Sequence, residues 1–208
     1  MLTKLGGPML DKILSLRNSP IHTRYFISRI RGLLDAGLDA ATPDPVRTQH
    51  TLFPTAGIDV ALPKVGRDMI GEVIPHRGEM LLLDYIAWVD DDFRRGLAVK
   101  KIREDEFWVA GHFPGHPIMP GALMLEASAQ LALYLSNRRL AEPAVGLFVR
   151  IENARFRSTA EPGDELLILC ENVEQARNIF YYDVQGLIKD RIVFESRIVG
   201  LLSKAKKK

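Results

Sequence analysis

Two ionisable side chains, His112 and Glu126, lie close together in the sequence and have the chemistry to move protons. His112 stands in a loop, residues 111–121, that contains three glycines and three prolines. An imidazole titrates near neutrality, so it can act as a base when such a loop holds it in place. Glu126 follows among leucines and alanines, where burial predicts a raised pKa and a protonated carboxyl that can act as an acid.

The helix predicted after this loop offers a third group at its first turn. No Ser, Thr, Asp or Asn precedes it, and Pro120 suits the start of a helix, so the N–H groups of Gly121 and Ala122 are free for a ligand oxygen. Base, acid and oxyanion donor together predict removal of a proton alpha to a carbonyl with loss of a beta hydroxyl. Taken alone, such a His and Glu pair is more often structural than catalytic.

The element that must position Glu126 is an apolar helix, predicted over residues 122–135 and buried on all sides. Strand patterns follow one another elsewhere without helices between them, and such strands pair antiparallel. The sequence therefore predicts an α+β domain in which an antiparallel sheet wraps around one long central helix. The predicted elements are a short helix at 67–74, a strand that opens at 80–83, strands at 95–102, 145–156, 165–173, 179–187 and 192–202, and a turn at 162–164.

The first third of the chain has a different character. Residues 1–66 are predicted to form an extension of two short helices followed by a linker rich in Thr, Pro and Gly from residue 38. Residues 67–203 form the predicted domain, and 204–208 a basic tail. Met69 is an alternative start of the protein.

Composition excludes several classes of function. The formal net charge is +2, and without the lysines of the tail the 28 basic residues fall to 24, against 26 acidic ones, so nucleic acid is not an expected partner. No run of about 18 apolar residues predicts a membrane span, and no secretory signal is visible. A single cysteine, Cys170, fits a reducing compartment. We therefore expect a cytoplasmic protein without membrane insertion.

The remaining histidines suggest no metal site. His112, His116 and Glu126 do not form a helix-borne ligand set such as H-E-x-x-H. His116 lies between Gly115 and Pro117 and is interpreted as shaping the loop. His76 is interpreted as a hydrogen-bond partner of nearby backbone. We expect neither a metal nor another cofactor.

Three motifs resemble those of one enzyme family. Residues 111–121, G-H-F-P-G-H-P-I-M-P-G, with the helix that follows through Gln130, resemble the signature of the beta-hydroxyacyl-[acyl-carrier-protein] dehydratases of the FabZ type. Residues 74–77 with 81–84, and 154–156 with 162–164, resemble two further family motifs in the expected order. The resemblance covers about residues 70–202 and implies a hot-dog fold, the same sheet around one helix that the pattern predicts.

The family also implies an activity and roles for residues. The resemblance implies dehydration of 3-hydroxyacyl chains on acyl carrier protein to trans-2-enoyl chains, with His112 as base, Glu126 as acid and the Gly121 N–H, next to that of Ala122, bound to the thioester carbonyl. It also implies a homodimer or a trimer of dimers in which His112 faces Glu126 of the partner chain. Four further residues are expected to line or support the substrate tunnel: Phe113, Pro114, Gln130 and Leu147.

Some positions depart from the family pattern. Residues 78–80 read Gly-Glu-Met where typical members have Tyr-Pro-Phe, and Leu147 stands where some members place a gating Tyr, so the preferred chain length stays open. Related dehydratase-isomerases have Asp where this chain has Glu126, which argues against that branch. The alternative function is a non-catalytic or thioesterase-like hot-dog protein that binds acyl chains. Retention of both His112 and Glu126 favours the dehydratase.

Overall fold

The computed structural model describes residues 50–204, whose regular structure consists of one long helix, one short helix, a 3-10 turn and seven strands. The two helices predicted before residue 38 and the tail from residue 205 lie outside these described residues. The bounds are β1 Val65–Gly66, α1 Arg67–Val73, a 3-10 turn Gly78–Met80, β2 Tyr85–Val89, β3 Arg95–Lys101, α2 Gly121–Arg138, β4 Ala144–Phe156, β5 Glu165–Ala176, β6 Ile179–Ile188 and β7 Arg191–Lys204.

The strands form one sheet in the order β1-β2-β3-β5-β6-β7-β4. Each neighbouring pair is antiparallel, which confirms the predicted pairing. The strand predicted to open at residue 80 is wrong, because residues 78–80 form a turn in which Gly78 has a φ of 59°. The buried run after this turn is bonded to α2 instead, since the Leu82 N–H donates to Oε1 of Gln130 at 2.9 Å. The pattern missed β1 and β2.

Helix α2 is covered by one face of this sheet. It packs against β3, β4, β5 and β6, and from residue 127 to residue 137 all but one of its side chains, that of Ala129, are buried. Gly146 allows β4 to come close, because a Cβ there would lie 2.9 Å from Cδ1 of Leu133. None of the helices between residues 50 and 204 is long and apolar enough to cross a membrane.

The outer face of the sheet is covered by residues 50–64. Phe53 is only 4% exposed and packs with Tyr85, Leu97 and Leu169 in a second apolar cluster. The segment is also hydrogen-bonded to the sheet: the hydroxyl of Tyr85 donates to the carbonyl of Val60 at 2.9 Å. Interpretation of residues 50–64 as a linker is therefore wrong, because these residues belong to the domain, which begins before the predicted boundary at residue 66. A chain starting at Met69 would lack this cover.

Candidate active site

His112 is held in the loop between β3 and α2 with one ring nitrogen left for chemistry. Its Nδ1 lies 2.7 Å from the carbonyl oxygen of Ile118. A carbonyl only accepts, so Nδ1 carries the hydrogen and Nε2 keeps its lone pair. The main chain is fixed on both sides, because the N–H of His112 donates to Trp108 and its carbonyl accepts from Ile118. The ring of Phe113 stacks on the imidazole at 4.2 Å. Nε2 is thus the atom that can act as a base.

The first turn of α2 is open to a ligand, as predicted. Pro120 precedes the helix without any side-chain cap, and among the described residues no acceptor binds the N–H groups of Gly121 and Ala122. Gly121 is required for a separate reason: a Cβ there would lie 2.7 Å from the ring of Phe156. The backbone therefore comes close to β4 just where the two free donors lie. Binding of a thioester oxygen by these donors stays a prediction.

Glu126 lies in the second turn of α2, and two side chains bind the same oxygen of its carboxylate. Nε2 of His76 lies 3.1 Å from Oε1, and Nε2 of Gln130 lies 3.0 Å from it. The hydrogen bond from His76 lowers the pKa of Glu126 and, with that from Gln130, outweighs burial, which raises it. The predicted raised pKa is therefore wrong. The interpretation of His76 as a backbone partner is also wrong, because its ring binds this carboxylate.

Gln130 fixes the carboxylate to the rest of the site. Its side chain is fully buried, and its Nε2 donates to the carbonyl of Met80 at 2.8 Å as well as to Glu126. Its Oε1 accepts from Leu82, so the orientation of the amide is determined on both sides. Gln130 thereby links Glu126 to residues 78–80, where the sequence departs from the family pattern. Its predicted role at the substrate tunnel stays a prediction.

An apolar cavity opens beside Glu126 and His76. Its volume is about 40 Å³, and side chains of α2, β4, β6 and β7 surround it, among them Leu133, Leu147, Phe148 and Phe180. Leu147 is thus part of the lining of this cavity, and its role in a substrate tunnel stays a prediction. His112, Phe113 and Pro114 are not among the residues that line it, and Phe113 is 53% exposed. Within one chain, the candidate base and the candidate acid do not share this cavity.

Sequence reasoning missed His76 as a member of the site. Its motif, residues 74–77, is visible in the sequence, but Glu126 lies 50 positions further along and nothing local connects the two. The structure shows how the motif works: the guanidinium of Arg77 donates to the carbonyls of Ile74 and His76 at 2.8 and 2.7 Å, which fixes the backbone that presents the imidazole. His116, by contrast, is exposed and bonds Phe113 only through its backbone, in agreement with its predicted role in the loop.

Metal ligation has no candidate group in the described part of the chain, since residues 50–204 contain no cluster of three or more His, Cys, Asp or Glu side chains.

Comparisons with known proteins agree with these motifs. The sequence matches the FabA-like domain family over residues 74–197. It is 37% identical over 141 residues to the 3-hydroxyacyl-[acyl-carrier-protein] dehydratase FabZ of Ralstonia nicotianae. This alignment spans 66% of this chain and 85% of that enzyme. Identity to the enzyme of the same name from Brucella abortus is also 37%, over 135 residues, 64% of this chain and 85% of that enzyme.

The fold has relatives among solved structures. The Dehydratase Heterocomplex ApeI:P from Xenorhabdus doucetiae aligns with a TM-score of 0.57 at 17% identity, over 65% of this chain and 91% of that chain. At this identity the likeness concerns the fold, and it confirms the predicted hot-dog fold. Together with the matched domain and the FabZ sequences, it shows that the chain belongs to the FabA-like family, alongside the 3-hydroxyacyl-[acyl-carrier-protein] dehydratases named FabZ.

Proposed function

We propose that the protein dehydrates 3-hydroxyacyl chains on acyl carrier protein to trans-2-enoyl chains in fatty-acid biosynthesis. The observation that carries this proposal is the carboxyl of Glu126, held by two donors at an apolar cavity between α2 and the sheet. The apolar lining of this cavity suits an acyl chain, and a carboxyl beside it suits proton transfer to a hydroxyl near the thioester end. The FabZ relatives are named for this reaction.

The proposed reaction is an elimination that uses three groups of the site. Nε2 of His112 takes the proton from the carbon next to the thioester carbonyl, and the electrons of that C–H bond form the new double bond. The bond between the next carbon and its hydroxyl breaks, and the hydroxyl leaves as water with a proton from Glu126. The N–H groups of Gly121 and Ala122 stabilise the negative charge that develops on the carbonyl oxygen. No cofactor takes part in this scheme.

A homodimer completes the site in this proposal, because His112 and Glu126 do not share a cavity within one chain. Strand β4 lies at an edge of the sheet and, among the described residues, pairs only with β7. Its apolar side chains are 44% to 55% exposed at Leu147, Phe148, Val149 and Ile151. Antiparallel pairing of two β4 edges would satisfy the free backbone groups and cover these side chains. Association of three such dimers into a trimer of dimers stays a prediction.

The carrier protein is the proposed partner, and the cytoplasm the proposed location. A thioester on acyl carrier protein is the substrate of the named relatives, and assignment of the same carrier to this chain follows from the family. We propose that the cavity walls at Leu147 and Phe180 limit the acyl chain lengths that fit.

The direct test is to incubate the full-length protein with 3-hydroxyacyl carrier substrates of several chain lengths. Enoyl product is followed by its absorbance, and mass spectrometry of the acyl groups distinguishes enoyl thioester from hydrolysed free acid. His112→Gln and Glu126→Gln serve as matched controls, because both substitutions keep side-chain size and remove the proton transfer. Free acid without enoyl product would support the thioesterase-like alternative and refute the dehydratase.

A further inference from the structure

The two oxygens of the Glu126 carboxylate have different surroundings. Oε1 accepts from both His76 and Gln130, at 3.1 and 3.0 Å. Oε2 has no hydrogen-bond partner among residues 50–204, and the side chain as a whole is 22% exposed. One oxygen is therefore used to hold the group, while the other has no partner within residues 50–204. The side chain as a whole borders the cavity.

The ring of His76 has one partner for its hydrogen. Its Nδ1 is buried and, within the described part of the chain, has no hydrogen-bond partner. A hydrogen on that nitrogen would be a buried donor without an acceptor, which is costly. A single hydrogen therefore belongs on Nε2, where Oε1 of Glu126 accepts it. In this tautomer His76 acts on the carboxyl as a donor and leaves Oε2 untouched.

We propose that His76 is the positioning residue of the acid: by donating to Oε1, it confines the acidic proton of Glu126 to Oε2, the oxygen that a leaving hydroxyl can reach. This inference rests on the proposed dehydration. A proton on Oε1 would displace the hydrogen bonds from His76 and Gln130, whereas a proton on Oε2 keeps both. When the carbon–oxygen bond of the substrate breaks, this proton passes from Oε2 to the departing hydroxyl and forms water. The two donors then stabilise the carboxylate that remains.

The electrostatics of the site agree with this arrangement. The hydrogen bond from His76 is the largest cause of the lowered pKa of Glu126, so it favours the carboxylate that remains after the proton has passed to the leaving hydroxyl. The residues that line the cavity come from α2, β4, β6, β7 and the loop before the 3-10 turn. Two of them are titratable, His76 and Glu126, and the others are apolar. The neighbouring Arg77 is turned to backbone carbonyls.

Three variants test the proposal. His76→Leu removes the donor at similar volume, His76→Gln restores an N–H donor at about the reach of Nε2, and His50→Leu changes an exposed histidine outside the site. We expect His76→Leu to lower kcat about ten- to a hundredfold, the factor that one hydrogen bond to a charged group carries. KM should change less than kcat, because the donor that is removed binds Glu126. His76→Gln should recover most of the loss, and His50→Leu should match the wild type.

A second measurement does not depend on turnover. The carboxyl of Glu126 can be titrated by carbon NMR in wild type, His76→Leu and His76→Gln, with Glu126→Gln to assign the signal. We expect the carboxyl to titrate at a higher pH in His76→Leu and near the wild-type value in His76→Gln. An unchanged titration in His76→Leu, or a His76→Gln enzyme as slow as His76→Leu, would overturn the proposal. A wild type without dehydratase activity would refute the proposed function, while the titration would still decide whether His76 controls the acid.

Discussion

Phe53→Ala should destabilise the protein strongly, although Phe53 lies in a stretch whose composition is that of a linker. The ring is 4% exposed, packs beside Trp88 at 5.4 Å between ring centres, and belongs to the cluster on the outer face of the sheet. Truncation of a buried Phe to Ala costs about 3–5 kcal/mol. For a chain of this size, that corresponds to a fall in Tm of roughly 6–20 °C.

The assay is thermal and urea unfolding of wild type and variant at one protein concentration, since self-association would make Tm depend on concentration. His50→Ala is the matched control in the same segment, because His50 is exposed, and it should stay within about 0.5 kcal/mol of wild type. Phe53→Leu should lose less than Phe53→Ala, because it keeps most of the buried apolar area.

Activity separates this effect from damage to the site. Residues 50–64 cover the face of the sheet opposite α2, so Phe53→Ala should keep wild-type turnover per folded molecule at a temperature where both proteins are folded. If Phe53→Ala and His50→Ala unfolded at the same temperature, the reasoning would be refuted, because residues 50–64 would then not protect the outer face.

Three further outcomes follow from the site. Gly121→Ala should lower both Tm and kcat, because the new Cβ would lie 2.7 Å from the ring of Phe156; the added Phe156→Leu substitution should restore part of the Tm. The lowered pKa of Glu126 stabilises the fold at pH values above the ordinary pKa of a Glu, and this contribution is lost as the pH falls through the pKa in the folded protein. Wild type should therefore lose more unfolding free energy on acidification than Glu126→Gln. If sites are shared, His112→Ala and Glu126→Ala chains unfolded and refolded together should regain roughly a quarter of wild-type activity, since about half the dimers are mixed and each has one intact site of two; sites within one chain would give none.

Local pattern was enough to predict the elements that pack around α2. The helix has apolar side chains on every side, and the strands from residue 144 onward alternate or run apolar between turn residues, so their identity depends on neighbours in the sequence. Residues 50–64 could not be predicted in this way. Their few apolar side chains lie among Thr, Pro and Gly, and the partners are distant: the amide of Leu52 binds Gln185, 133 positions away. Composition describes such a segment, but only the sheet gives it a structure.

The same distinction explains why the candidate acid was predicted with the wrong ionisation. Sequence neighbours of Glu126 are apolar, and burial does raise its pKa, as the pattern implied. The opposing effect comes from His76, which the chain brings back from 50 positions away, together with Gln130 one helical turn further on. Hydrogen bonds that favour the charged form outweigh burial here, so the direction of the shift is set by a contact that no local window contains.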